Sequence, residues 1–72
     1  MELSTELKTR FLDLLNYSIS LNEEKGLHVS DFIKNREVTD IEPVEMGFVF
    51  KTGGTPQKYF LRKKDLLLAT CQ

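Results

Sequence analysis

A single cysteine, Cys71, excludes any disulfide within the 72-residue chain, and its place next to the C-terminus predicts an unpaired thiol in a reducing cytoplasm. The one histidine, His28, lies far from it in sequence, so the converging His, Cys or carboxylate cluster that a metal requires is not expected. His28 instead reads as a loop or helix-start residue. No apolar run approaches the roughly 18 residues of a membrane span. Met1–Leu3 leads straight into polar helical sequence, without the basic start and apolar core of a secretion signal. These absences predict a soluble, cytoplasmic chain. Internal repeats, low-complexity tracts and linkers are also missing, so residues 1–72 read as one small domain. At this size roughly 60% of the unfolded chain's surface can be buried, which leaves a thin margin of stability that association would widen.

What the chain does contain is a β-hairpin signal over Val44–Arg62. Val44, Met46, Phe48 and Phe50 alternate with Glu45, Gly47, Val49 and Lys51, the period of a strand with one buried face. Gly53–Gly54 supplies positions free to adopt positive φ, and Pro56 lacks the amide a central strand needs, which places both in a loop. A Gly53–Pro56 loop predicts that Phe50 pairs with Tyr59 and Phe48 with Leu61. Met46, Phe48, Phe50, Tyr59 and Leu61 then share the core face. A two-residue Gly-Gly turn would shift the partners along but keep the same face. The opposite face carries Val49 and Phe60 among Lys51, Lys58, Arg62 and Lys64.

Ahead of the hairpin, Ser4 as N-cap, Glu6 in the first turn and Gly26 beyond Lys25 predict a helix over Thr5–Lys25. Leu7, Phe11, Leu14, Leu15 and Ser18 form its apolar stripe, widened by Leu12 and Ile19, while Glu6, Lys8, Arg10, Asp13 and Asn16 form the wet side. Leu12, Ile19 and Tyr17 are more than one small sheet needs, leaving a surplus stripe for a second contact. Val29, Phe32 and Ile33 with Ser30 as cap predict a short second helix near Asp31–Arg36. VTDIEP reads as a short edge strand ending at Pro43. The tail KKDLLLATCQ fits either an extension of the second hairpin strand or a helical turn over Leu66–Ala69 capped by Asp65. The expected fold class is α+β: a long N-terminal helix and a short second helix packed on a small antiparallel sheet centred on a C-terminal hairpin.

Catalytic chemistry finds little support. Glu23–Glu24 and Glu42/Glu45 sit in charge-rich segments that predict solvated carboxylates, and Asn16-Tyr17-Ser18 matches a glycosylation acceptor inside a predicted helix. Ser30, Thr70 and Cys71 are nucleophiles by residue type alone, without an activating base. Gly53–Gly54 lacks the spacing and the Gly-Lys-Ser/Thr ending of a phosphate-binding loop. The expectation is a non-enzymatic protein without cofactor, metal, membrane or small-molecule substrate.

The net charge of −1 conceals a segregation, because residues 37–50 carry four acids and no bases whereas residues 51–72 carry five bases and one acid. Such asymmetry can steer a partner or be satisfied within the fold. The leading expectation is a protein-interaction or regulatory module, a homodimer or a partner-docking domain, with Val49, Phe60 and Arg62 at the interface. The alternative is a nucleic-acid binder, with Lys51, Lys58, Arg62 and Lys64 on phosphates and Phe60 stacking on a base. A basic hairpin beside two helices resembles the wing of winged-helix domains, but the sequence supplies no recognition helix between the second helix and the hairpin.

Overall fold

The computed structural model describes residues 5–53 and 56–71. They form α1 (Thr5–Glu24), α2 (Asp31–Lys34), β1 (Val38–Val44), β2 (Gly47–Thr52), β3 (Lys58–Arg62) and β4 (Leu68–Cys71). The four strands make one antiparallel sheet in chain order, giving an α+β fold. Phe11, Leu15 and Ile19 of α1 and Ile33 of α2 meet Val38, Ile41, Phe48, Phe50 and Leu61 in one buried cluster, so both helices cover the same side of the sheet. Phe11 sits at its centre, edge-on to Phe48 and Phe50 with ring centroids 5.4 and 5.0 Å away, an arrangement that aromatic quadrupoles favour.

Both helices end by the same device. The Leu27 N–H donates to the Asn22 carbonyl at 2.9 Å and the Gly26 N–H to that of Glu23 at 3.0 Å, with Gly26 at φ 78°. This left-handed closure satisfies carbonyls the helix would otherwise leave open, and glycine adopts it without steric cost. In α2 the Ser30 hydroxyl caps the Ile33 N–H at 3.3 Å. The expected run to Arg36 stops at Lys34, because Arg36 itself turns left-handed (φ 59°) and the Glu37 N–H returns to the Phe32 carbonyl at 2.8 Å. Ser4 lies outside the described residues.

The hairpin register is the predicted one, with Phe50 opposite Tyr59 and Phe48 opposite Leu61. Phe48, Phe50 and Leu61 are buried and Tyr59 is half-buried, its ring stacked 5.8 Å from that of Phe50. Two expected members of this strand are corrected. Val44 belongs to β1, and Met46 is 56% exposed in the tight Glu45–Met46 turn that joins Val44 to its partner Gly47. Alternation runs unbroken through that turn because neither turn residue is a glycine or asparagine, so the period of two could not reveal it. Gly47 is fixed by space: a Cβ there would lie 2.0 Å from the Leu61 carbonyl oxygen. Gly54, half of the expected glycine turn, lies outside the described residues.

The strand expected to stop at Pro43 runs through it to Val44. Pro43 is tolerated because β1 is a sheet edge and its missing N–H faces away from β2. Between the Thr39–Lys51 and Glu42–Val49 pairs, Asp40 and Ile41 together face Phe50, a bulge with Asp40 at φ 52°.

Neither expectation for the tail holds. Residues 63–65 turn, Leu66 is left-handed (φ 58°), and Leu68–Cys71 returns as a fourth strand beside β3. A buried polar clasp explains this. The Leu66 carbonyl accepts from Ser18 Oγ at 2.5 Å and from Asn22 Nδ2 at 3.0 Å, while Asn22 Oδ1 accepts the Leu68 N–H at 3.4 Å. Asn22 is 1% exposed, and its Nδ2 also donates to the Ser18 carbonyl at 2.6 Å. Asn22→Ala takes its partner from the half-buried Leu68 amide and leaves a gap where the buried Asn22 amide stood, so urea unfolding should show a loss of about 1–3 kcal/mol. Ser20→Ala, exposed on α1, should stay within about 0.5 kcal/mol.

Candidate functional site: the uncovered face of the sheet

Register assigns the side chains to the two faces of the sheet. Phe48, Phe50, Tyr59, Leu61, Leu68 and Thr70 share the helix side, so their strand neighbours form the other face in three cross-strand rows. The central row is Glu42, Val49, Phe60 and Ala69; on one side lie Thr39, Lys51 and Lys58, and on the other Val44, Gly47 and Arg62. No described helix covers this face, since the buried residues of α1 and α2 belong to the opposite side.

The middle of the face is apolar: Val44, Val49 and Phe60 are half-buried and Ala69 is exposed. Phe60 stands directly opposite Val49 across the β2–β3 ladder, the aromatic and β-branched pairing that sheets favour. Charged groups ring this centre. Lys51 Nζ lies 3.7 Å from Asp40 and stands directly opposite Lys58. Like charges at opposed positions repel, and Lys58 makes no ion pair with a described residue. Arg62 is engaged within the chain: its Nη2 and Nε donate to the two Asp65 carboxylate oxygens at 2.8 and 3.1 Å. The Asp65 Oδ1 also accepts the Leu67 N–H at 3.2 Å, which ties the ion pair to the turn that starts β4.

All three expected interface residues, Val49, Phe60 and Arg62, share this face. Of the basic set proposed for phosphate contact, Lys51, Lys58 and Arg62 lie on it with Phe60, whereas Lys64 is exposed in the 63–65 turn. Lys63, in the same turn, carries its ammonium 5.6 Å from the Phe48 ring centroid. Arg62 has its fork occupied by Asp65, a member of the same basic stretch, and Lys51 has Asp40 of the acidic stretch beside it, so among the described residues folding pairs two of the five bases of residues 51–72. The surplus helix stripe shrinks as well: Ile19 is 6% exposed in the core and Leu12 is partly buried, leaving Tyr17, 71% exposed, beside Asp13, Asn16 and Ser20.

Other candidates from the sequence are dispersed. Glu23 pairs with Lys34 at 2.9 Å, while Glu24 and Glu45 are exposed. His28, exposed, lines a groove of about 170 Å³ with Ser30 and Thr70. The thiol of Cys71 lies outside the described residues. Among those described, no group of three or more His, Cys, Asp or Glu could hold a metal ion, and no helix is long and apolar enough to cross a membrane. Sequence reasoning missed Glu42 and Ala69, which complete the central row. Glu42 was obscured by the Asp40 bulge, which resets the strand's alternation, and Ala69 by the undecided state of the tail.

Comparison with protein-family models, with curated proteins and with solved structures gives no match to this chain. The site's meaning therefore rests on its own geometry.

The Arg62–Asp65 pair has a pH signature. The hydrogen bond from Arg62, followed by that from the Leu67 amide and the charge of Arg62, holds the Asp65 carboxyl below its ordinary 3.8 despite some desolvation. A lowered folded value means the contribution is present above the unfolded value and is lost as pH falls through the folded one. Asp65→Asn should therefore lower stability to urea at pH 6, and the gap from the parent chain should close as pH falls below the ordinary carboxyl value of 3.8 and through the lowered folded one.

Proposed function

We propose that this chain is a small non-enzymatic interaction module of the reducing cytoplasm that docks on another protein through the uncovered face of its sheet. The observation that carries this reading is the layout of that face. An apolar centre of Val49, Phe60 and Ala69 lies within a charged rim of Glu42, Lys51, Lys58 and Arg62, the arrangement of a protein interface with a desolvated core and a polar surround. Lys51 and Lys58, opposed on adjacent strands, favour a partner that brings a carboxylate to that end of the face. An acid placed there would relieve their repulsion as the apolar centre is covered.

A second copy is a poorer occupant of this face. Two-fold packing about an axis along the strands would set Lys51 of one copy over Lys58 of the other. An axis across the strands would set Lys58 over Arg62. Either brings cation onto cation. The nucleic-acid reading keeps Lys51, Lys58 and Phe60 together, but Arg62 would have to leave Asp65 to reach a phosphate.

Selection from a displayed peptide library should yield sequences that combine an aromatic or large aliphatic residue with a nearby acid. Binding should weaken about 30-fold or more in Phe60→Ala, with the thermal midpoint lowered by only the few degrees that loss of the Phe60–Val49 pair explains. The same protein titrated into labelled single- and double-stranded DNA and RNA at low salt should give no saturable anisotropy change. Saturable binding that falls steeply with salt would overturn the protein-docking reading and favour nucleic acid.

A further inference from the structure

Both edges of the sheet are closed to a further strand. The β1 edge carries Pro43, the left-handed Asp40 bulge and the acids Asp40 and Glu42, devices that discourage another strand from pairing there. At the other edge β4 is four residues long and α1 lies over its start, where the Leu66 carbonyl accepts from Ser18 and Asn22 and the Leu68 N–H donates to Asn22. Too little of the described edge is left for a ladder, so a partner reaches this sheet over its open face.

A segment seated on the open face meets side chains only, because the N–H and C=O groups of a sheet point along its plane toward neighbouring strands. Backbone that covers Val49 and Phe60 must therefore satisfy its own polar groups. A helix does so within one segment, and an extended peptide does not. The shape of the patch then selects between a helix and the face of another sheet. Val49, Phe60 and Ala69 form a row one side chain wide, with Lys51 and Lys58 in the next row about 7 Å away. A sheet face would press apolar residues onto both lysines, whereas a helix presents a narrow stripe. From Val49 on β2 to Ala69 on β4 the row spans about 10 Å, and helix positions i and i+7 stand about 10.5 Å apart. The helix side of the sheet already shows this mode of cover: Phe11 of α1 meets Phe48 and Phe50 on β2, and Asn22, further along α1, bonds Leu68 on β4.

We propose that the partner docks a single amphipathic helix across the strands of the open face. Its apolar stripe, spaced i, i+3 or i+4, and i+7, covers Val49, Phe60 and Ala69, and a carboxylate on one flank stands over Lys51 and Lys58. Glu42 ends the row on β1, so the stripe stops there and a cation of the helix meets it. Ala69, small and exposed, leaves room at the β4 end for the largest side chain of the stripe. The bound state is three-layered, with helices on both sides of one sheet. The docked helix rests on the protein-docking reading above and specifies what the partner brings to it.

The probes are peptides selected from the displayed library that lose binding to both Phe60→Ala and Ala69→Arg, the second of which blocks the row from an exposed position and leaves the core untouched. Such a peptide, isotope-labelled and bound to the parent chain, should show helical Cα chemical shifts along its apolar stripe. A proline placed in the middle of the stripe should weaken binding about 30-fold or more, because it breaks a helix interior. Lys51→Glu combined with Lys58→Glu should weaken binding about tenfold, and exchanging the peptide's flanking acid for lysine should restore it. Peptides that require Phe60 and Ala69 yet bind in extended form and tolerate the proline would overturn the docked helix and leave the protein-docking reading standing. A library that yields no peptide sensitive to either substitution would overturn the docking reading, and the helix with it.

Discussion

The β-rich half of this chain depends on one buried polar contact, the clasp between Asn22 on α1 and the backbone around Leu66. An asparagine amide taken out of water must find partners for its donors and its acceptor, and here all of them lie in the protein. Its carbonyl receives the first amide of β4 and its amino group holds a left-handed carbonyl in the preceding turn. The interaction is directional where the apolar contacts around it are not. Hydrophobic burial would press the tail against the helix in many poses, and the clasp selects the one in which the chain reverses and pairs with β3.

From that selection follows the shape of the outer surface. Once β4 is in place, the sheet has four strands with both helices on one side and an apolar row running across the other. The core side is closed by Phe11 and its aromatic neighbours, which is why α1 has little apolar surface left over beyond Tyr17. The polarity of the open side is set by folding more than by composition. Asp40 of the acidic stretch comes to Lys51 through a bulge, and Glu42 shares the open face with Lys51, Lys58 and Arg62, so acids and bases that are segregated in the sequence meet on one face. Such a face suits selective contact with a protein better than broad attraction to a polyanion.

Much of the fold was legible in the residues. The hairpin register could be read because Phe48, Phe50, Tyr59 and Leu61 alternate on either side of a glycine-proline loop, and one buried face permits only one phase of pairing. The first helix could be read from its stripe and from Gly26, and the second from Ser30 at its cap. Of the open face, Val49, Phe60 and Arg62 were placed correctly by the same alternation. Met46 was misplaced because a two-residue turn without glycine leaves the period intact, and the tail stayed ambiguous because LLLA satisfies a strand and a helical turn equally.

The sequence by itself determined the local periods, the stop of the first helix at Gly26 and the partners within the central hairpin, since each depends on residues near one another in the chain. Tertiary structure alone decided that the tail is a strand, that Asn22 is buried, and that Glu42 and Ala69 join Val49 and Phe60 in one row. Those outcomes depend on hydrogen bonds between groups more than forty positions apart and on a bulge that shifts one strand against another. Neither leaves a periodic trace, because a single buried amide or one inserted residue acts through geometry that exists only after the helix and sheet have met.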